Sequence, residues 1–310
     1  MIARGAFVFV VLPILLGLVA VASIRLLDRT NGSIISSGQR RRYLVHVPPS
    51  YDRTKPTPLV ISMHGAAAWP REQQYLSQWS RLADQQGFIV VYPAGTGIPQ
   101  IWHVFRDTDL RRDVKFISDM LDTLERTYNI DSTRIYANGI SNGGGMAFVL
   151  SCTLSSRIAA IGLVAAAETL PWSWCKDDRP MPMIDFHGTA DPVVPYGGGQ
   201  LPLVPQTFPD VRTWVSNWAR RNRCASTPRD SRIAPDATRR EYTGCADGAD
   251  VVLYTIRGGG HTWPGGKPLP KLLFGATSRD IDATSEMWKF FRDRRVRAAP
   301  IGRVDTSAQQ

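Results

Sequence analysis

The sequence predicts an α/β fold, in which helices cover both faces of a mostly parallel central sheet. Two continuous apolar runs, at residues 58–63 and 88–92, have the composition of strands that are buried on both faces. The segment at residues 113–128 instead repeats its apolar side chains at the spacing of an amphipathic helix. Because strands and helices alternate along 310 residues without an internal repeat, we expect one sheet and one domain.

The other predicted elements follow from shorter patterns of the same two kinds. Polar and apolar residues alternate in the first predicted strand, as expected for an outer strand. The strands span residues 42–47, 134–138, 158–166, 183–187 and 251–256. The helices span residues 72–86, 142–152, 209–222 and 281–292.

The N-terminus departs from a globular composition. Residues 6–24 are almost continuously apolar, and this length suits either the core of a signal peptide or a single membrane span. Ala20 and Ala22 offer a small-residue cleavage site, and either outcome exports the rest of the chain. We therefore divide the chain into a signal peptide or membrane anchor, a polar linker, one globular domain and a polar tail, at residues 1–25, 26–38, 39–295 and 296–310.

The charge of the chain does not indicate a nucleic-acid partner. The formal net charge is +10, but the arginines are scattered and no predicted helix combines a basic stripe with interleaved aromatic residues. We interpret the arginines as a solvated surface and expect no nucleic acid to bind.

The four cysteines predict two disulfides, because an even number in an exported chain is typical of oxidised pairs. Three pairings are open. We prefer Cys152 with Cys175 and Cys224 with Cys245, which close short loops. The alternative is four buried free thiols. The chain has no Cys-x-x-Cys motif and no cluster of histidine and cysteine, so we expect no metal site.

One serine lies where a strand is predicted to turn into a helix. Ser141 is the centre of a Gly-x-Ser-x-Gly pattern at residues 139–143, and the helix after it opens with glycines. A serine hydroxyl becomes nucleophilic when a sharp strand-to-helix turn exposes it beside a general base. A chance glycine-rich turn is the alternative, but the flanking elements favour Ser141 as a nucleophile.

A nucleophile at such a turn needs an acid and a histidine later in the chain, in that order. Of the five histidines, only His261 follows the last predicted strand, in a glycine-rich loop, and we predict that it is the general base. Asp191 follows the strand at 183–187 and precedes a proline, so it is our candidate to orient the histidine. The alternatives are a simple Asx-turn at Asp191, or Asp185 as the acid.

The loops near these residues supply candidates for stabilising the oxyanion and for contacting the substrate. The backbone N–H groups of Asn142, after the nucleophile, and of Ala66, after an early strand, are our candidates for the oxyanion hole. Trp102 and Trp263 lie in loops near the predicted triad, and we predict that they contact substrate. The alternative is that both indoles cap the core.

Six motifs resemble the esterase family that groups polyhydroxybutyrate depolymerases with secreted feruloyl and acetylxylan esterases. In order along the chain, they begin at His64, Asp113, Tyr128, Gly139, His187 and Gly259. The resemblance implies an α/β-hydrolase fold, hydrolysis of carboxylic esters and a triad of Ser141, Asp191 and His261. It also implies paired cysteines near the positions preferred above. Gly145, the alanines after Gly65 and the loop around Trp102 depart from the family pattern, which leaves the substrate open.

We therefore predict an exported serine esterase that works as a monomer without a cofactor, through an acyl-enzyme. It is secreted or periplasmic, or attached to the membrane through residues 6–24. Few residues follow the last predicted helix, too few for a separate polymer-binding module. We therefore expect soluble or oligomeric esters: aryl or feruloyl, acetyl, or hydroxyalkanoate oligomers. The alternatives are a polyhydroxybutyrate depolymerase proper, a peptidase on the same fold, and a catalytically silent binding protein anchored to the envelope.

Overall fold

The computed structural model describes residues 28–104, 108–176, 179–200 and 207–296. The apolar segment at 6–24, and with it the predicted signal peptide or anchor, lies outside these ranges, as does the tail from residue 297. Within the described ranges, no helix is both long enough and apolar enough to cross a bilayer.

The described residues form twelve strands, and ten of them make one sheet with a parallel centre and antiparallel edges. The strands are β1 (Gly32–Ser36), β2 (Gln39–His46), β3 (Thr57–Met63), β4 (Ile89–Pro93), β5 (Ile130–Ile140), β6 (Ala160–Val164), β7 (Met183–Gly188), β8 (Gly199–Gln200), β9 (Thr207–Phe208), β10 (Arg229–Arg232), β11 (Ala237–Tyr242) and β12 (Val251–Ile256). Their order is β1-β2-β4-β3-β5-β6-β7-β12-β11-β10, and β8 pairs only with β9. The six strands from β4 to β12 in this order are parallel, and each edge carries an antiparallel pair.

Helices bury apolar side chains against both faces of the sheet. The described helices are α1 (Pro70–Ser77), α2 (Trp79–Gln86), α3 (Thr108–Thr127), α4 (Asn142–Thr153), α5 (Val211–Arg221), α6 (Lys271–Phe274) and α7 (Ala283–Phe291). One core cluster contains buried residues of α3, α4 and α5, and a second contains buried residues of α1, α2 and α7. This arrangement confirms the predicted mostly parallel sheet with helices on both faces.

The helix predicted at 72–86 is two helices. Gln78 adopts a left-handed conformation with a φ of 60°, which ends α1 and redirects the chain into α2. The break places Trp79 entirely in the core, where its indole Nε1–H donates to Asn138 Oδ1 over 3.0 Å. The periodicity of the sequence does not reveal such a break, because both helices present apolar residues to the same face of the sheet.

Both edges of the sheet contain strands that the sequence patterns did not predict. β1 lies inside the segment expected to be a linker, at residues 26–38, and pairs with β2. β10 consists of Arg229, Asp230, Ser231 and Arg232, and pairs with β11. Charged residues are common on edge strands, because they discourage further pairing with other chains. Such strands lack the apolar pattern on which the predictions relied.

The carboxyl ends of the central strands meet at one edge of the sheet. Met63 at the end of β3 lies opposite Gly139 of β5, and Ile256 at the end of β12 lies opposite Gly188 of β7. The loops that leave these strands are therefore neighbours. In open α/β sheets, ligands bind at this edge.

Two disulfides are formed, Cys152–Cys175 and Cys224–Cys245, which are the pairings preferred from the sequence. The first ties the last turn of α4 to the loop after β6. Disulfides persist in oxidising compartments, so the protein is an exported one.

Removing either disulfide should destabilise the fold. The paired cysteines are 23 and 21 residues apart in sequence. Loops of this size imply a loss of roughly 3 kcal/mol in the free energy of unfolding for each double Cys→Ala variant. Urea unfolding without a reducing agent measures the loss. In dithiothreitol, which reduces the disulfides of all three proteins, the wild type and the two variants should be equally stable. A difference in stability that persists in dithiothreitol would contradict this explanation.

Candidate active site

Ser141 occupies the turn between β5 and α4 in a strained conformation. Its φ of 56° and ψ of −123° are rare for a residue with a side chain. Three hydrogen bonds hold this conformation. The Ser141 N–H donates to Val164 O over 2.9 Å, and its carbonyl accepts from the N–H groups of Gly145 and Ala167 over 3.0 Å each. The turn therefore presents the hydroxyl at the carboxyl edge of the sheet.

Close packing explains the two glycines of the Gly-x-Ser-x-Gly pattern. A Cβ at Gly139 would lie 2.4 Å from the carbonyl group of Gly143. A Cβ at Gly143 would lie 2.4 Å from Met63 O at the end of β3. Neither distance is compatible with a side chain, so the tight turn and the neighbouring strand require glycine at both positions.

The structure brings His261 and Asp191, two of the candidate site residues, together at the same edge. His261 Nδ1 lies 2.8 Å from Asp191 Oδ2, and both side chains are buried. The other carboxylate oxygen accepts the N–H groups of Val193 and Val194, each over 2.8 Å. A carboxylate can only accept, so Nδ1 of His261 carries the proton and Nε2 is left as the basic nitrogen of the neutral ring.

Ser141 and His261 line one cleft of about 360 Å³. The walls of this cleft are mainly apolar, and one carboxylate lies among them. The residues that line the cleft include Ala66, Glu72, Leu76, Ile140, Leu269 and Phe274. This composition suits an ester whose acyl or alcohol part is apolar or aromatic.

The two candidate oxyanion donors flank Ser141. Asn142 is the first residue of α4, so its N–H has no acceptor within the helix. Ala66 lines the cleft, and a Cβ on the preceding Gly65 would lie 3.5 Å from Ser141 Cβ. The loop after β3 and the start of α4 thus lie on either side of Ser141, an arrangement that is compatible with an oxyanion hole.

His64 is a buried and neutral neighbour of this hole. Its Nε2 accepts the Gly95 N–H over 3.0 Å, so its Nδ1 carries the proton and donates to Gly65 O over 2.7 Å. Burial lowers the pKa of His64 from 6.5 to about 4. The sequence pattern identified His64 only as the first residue of a motif and did not indicate a function for it.

The structure contradicts the expectation that Trp102 and Trp263 contact substrate. Both indoles are fully buried, and neither lines the cleft. The Trp263 Nε1–H donates to Thr284 Oγ1, and the Trp102 Nε1–H donates to His64 O. Each loop turns its indole inward, because the buried ring contributes apolar contacts and its N–H finds an acceptor.

Other cleft residues were not identified from the sequence. Glu72 lies in the first turn of α1, and burial raises its pKa. Leu269 and Phe274 belong to the loop and short helix that follow His261. Only their nearness in sequence to the motifs could have suggested them, because which face of a loop lines a cleft is decided by packing.

Asp185, the rival acid, lies within β7 and is completely buried. Burial raises its pKa to about 7. Neither of its carboxylate oxygens has a hydrogen-bond partner among the described residues, whereas Asp191 accepts from His261. The described residues as a whole contain no group of three or more His, Cys, Asp or Glu side chains that could hold a metal ion.

The buried His64 should make the protein less stable in acid. The unfolded chain protonates at His64 below about pH 6.5, whereas the folded protein resists protonation until about pH 4. The stability that comes from the neutral His64 is therefore complete above about pH 6.5 and is lost as the pH falls towards about 4. The loss in the free energy of unfolding is on the order of 3 kcal/mol. A His64→Asn variant keeps a donor for Gly65 O but does not titrate. Its urea midpoint should therefore fall less than that of the wild type between these pH values, and parallel curves would contradict the argument.

Comparison with known proteins agrees with this geometry. The family model described as "Esterase PHB depolymerase" matches residues 41–169. The chain is 33% identical to feruloyl esterase B of Piromyces equi over 73% of its own length. It is 29% identical to a bifunctional acetylxylan esterase/xylanase of Neocallimastix patriciarum over 70% of its length. The chain spans only 44% and 31% of these two relatives, so the similarity concerns one part of each.

A solved structure shows the fold. The acetyl xylan esterase from Aspergillus awamori superposes with a TM-score of 0.59, covering 84% of this chain and 98% of that one. The two are 17% identical, so the similarity establishes the α/β-hydrolase fold and not the substrate. The family match, the sequence similarity and the fold together show that the chain is similar to esterases of the polyhydroxybutyrate depolymerase, feruloyl esterase and acetylxylan esterase kind.

Proposed function

We propose that this protein is an exported serine esterase that hydrolyses carboxylic esters through an acyl-enzyme. The observation that supports this function most strongly is the 2.8 Å contact between His261 and Asp191, in a cleft that is also lined by the strained Ser141. Nucleophile, base and orienting acid come from three separate loops at one edge of the sheet. A binding protein has no need of such an arrangement.

In the first step, Ser141 Oγ attacks the ester carbonyl while His261 Nε2 takes its proton. The carbonyl π electrons become the oxyanion, which the N–H groups of Asn142 and Ala66 stabilise. The resulting imidazolium is stabilised by Asp191, whose carboxylate already accepts three hydrogen bonds. Collapse of the intermediate breaks the bond to the alcohol, and His261 returns the proton to the leaving oxygen.

In the second step, water replaces the alcohol. His261 removes a proton from the water, the hydroxide attacks the acyl-enzyme, and the acid leaves as Ser141 regains its proton. The protein supplies every proton transfer from these side chains, so the proposed reaction uses no cofactor.

The proposed substrates are soluble or oligomeric esters: aryl or feruloyl, acetyl, or hydroxyalkanoate oligomers. The apolar walls formed by Leu76, Ile140, Leu269 and Phe274 support an acyl group of this kind. The names of the relatives, feruloyl and acetylxylan esterases, support the first two classes. A polyhydroxybutyrate depolymerase proper is the second candidate, which the matching family model favours.

We further propose that the catalytic domain comprises residues 39–295 together with the preceding strand β1, and works as a monomer, secreted or periplasmic. In the alternative arrangement, residues 6–24 attach it to the membrane. The strand β1 extends the domain into the segment first assigned to the linker.

Replacing the nucleophile should abolish turnover. We expect Ser141→Ala to lower kcat for p-nitrophenyl acetate by about 10⁴-fold or more, because alanine lacks the hydroxyl that forms the proposed acyl-enzyme. Ser151→Ala is the matched control, since Ser151 is a buried serine of α4, the helix after Ser141, and donates to Phe148 O. A fluorophosphonate probe should label the wild type and Ser151→Ala but not Ser141→Ala. Wild-type protein that is neither active nor labelled would instead support the silent binding protein.

The two buried aspartates near β7 should differ sharply in their effect on catalysis. We expect Asp191→Asn to lower kcat by on the order of 10³- to 10⁴-fold, because the amide no longer stabilises the imidazolium. Asp185→Asn should change kcat by less than about threefold, since an amide resembles the protonated carboxyl that burial favours there. Steady-state kinetics on the same ester measure both, and the reverse ranking would reassign the acid to Asp185.

A further inference from the structure

The loop after β4, residues 94–104, lies against both sides of the candidate oxyanion hole. On one side, the main chain of Trp102 and the side chain of Asn142 exchange two hydrogen bonds. The Trp102 N–H donates to Asn142 Oδ1 over 2.7 Å, and Asn142 Nδ2 donates to Trp102 O over 2.9 Å. Asn142 is the residue whose own N–H faces the oxyanion in the proposed mechanism.

On the other side, the same loop fixes the segment that carries Ala66. The Trp102 indole Nε1–H donates to His64 O over 3.1 Å, and the Gly95 N–H donates to the His64 ring over 3.0 Å. The Ala67 N–H donates to Gln100 O over 2.8 Å. The His64–Gly65 and Ala66–Ala67 peptide groups are therefore anchored to the loop, and the Ala66 N–H belongs to the peptide group between them.

Trp102 is the one residue of this loop that bonds to both sides. We propose that Trp102 is a positioning residue that couples the two donors of the oxyanion hole, Asn142 and Ala66. This inference rests on the proposed esterase function. It replaces the substrate contact expected from the sequence, because the indole is fully buried behind the hole and does not line the cleft.

The distance between each donor and the oxyanion decides how much that donor lowers the barrier. Oxyanion donors act only when they lie within hydrogen-bond reach of the oxygen in the transition state, and a shift of about 1 Å can cost on the order of 100-fold in rate. Phenylalanine at position 102 would keep most of the apolar contacts but would leave His64 O without its donor. The loop around Ala66 would then keep only its bonds to Gly95 and Gln100 and would be held less tightly, while the apolar cleft walls formed by Leu76, Leu269 and Phe274 would stay in place.

The test compares Trp102→Phe with Trp218→Phe. Trp218 is a matched control because its indole is also fully buried and donates its N–H to a backbone carbonyl, Met181 O, over 2.9 Å. We expect Trp102→Phe to lower kcat for p-nitrophenyl acetate by about 10- to 100-fold with KM within about twofold of wild type. Trp218→Phe should leave kcat and KM within about twofold of wild type, even if its melting temperature falls as much as that of Trp102→Phe.

An aryl trifluoromethyl ketone gives a second measurement. Ser141 Oγ adds to its carbonyl, the serine proton passes to His261, and the carbonyl π electrons become an oxyanion held in the hole. The inhibition constant should rise in Trp102→Phe by the same factor as kcat falls, since the same hydrogen bonds are lost in both states. Asn142→Ala, which removes both bonds to the main chain of Trp102, should show the same pattern and decides the matter if Trp102→Phe does not fold.

Three results would overturn the proposal. An unchanged kcat in Trp102→Phe, or in Asn142→Ala if that variant is decisive, would show that the hole does not depend on this loop. A raised KM with unchanged kcat would return Trp102 to substrate binding. Equal losses of kcat in Trp102→Phe and Trp218→Phe would reduce its role to general packing. The failure of the esterase function itself is distinguishable, because the wild type would then neither turn over the ester nor bind the ketone.

Discussion

The whole site depends on the tight packing of the turn that carries Ser141. Gly139 and Gly143 touch within a single turn, and Gly143 also touches the end of β3 at Met63 O. That second contact places the loop after β3 beside the nucleophile, so the two flanking loops can both contribute backbone donors. The unfavourable φ of Ser141 persists because three backbone hydrogen bonds and these contacts allow no relaxation.

Electrostatics around the triad separate groups that carry charge from groups that stay neutral. Asp191 is buried, but its carboxylate accepts two backbone N–H groups and His261, which compensate the loss of water. Asp185 has no such partners among the described residues, and its pKa rises to about 7. Burial also raises the pKa of Glu168 well above its usual value. A neutral Glu168 spares Asp191 the repulsion that a second buried carboxylate would cause.

Which strands and helices the sequence predicted depended on the kind of pattern that each one carries. Buried parallel strands such as β3 and β7 were predicted to within about two residues at each end, because both faces require apolar side chains. The edge strands β1 and β10 were missed, since solvent on one side removes that requirement. The helix break at Gln78 was missed as well, because the apolar face continues on both sides of it.

The sequence by itself determined which residue types stand at the site and in what chain order. Gly139, Ser141 and Gly143, followed by Asp191 and His261, are recognisable because the chemistry and the tight turn each admit few alternatives. Only the tertiary structure decided the direction of side chains in loops. From the sequence, Trp102 had equal reason to face substrate or core, and the acceptor at His64 O and the amide of Asn142 hold it towards the core. Such choices depend on partners distant in sequence, which a local pattern does not contain.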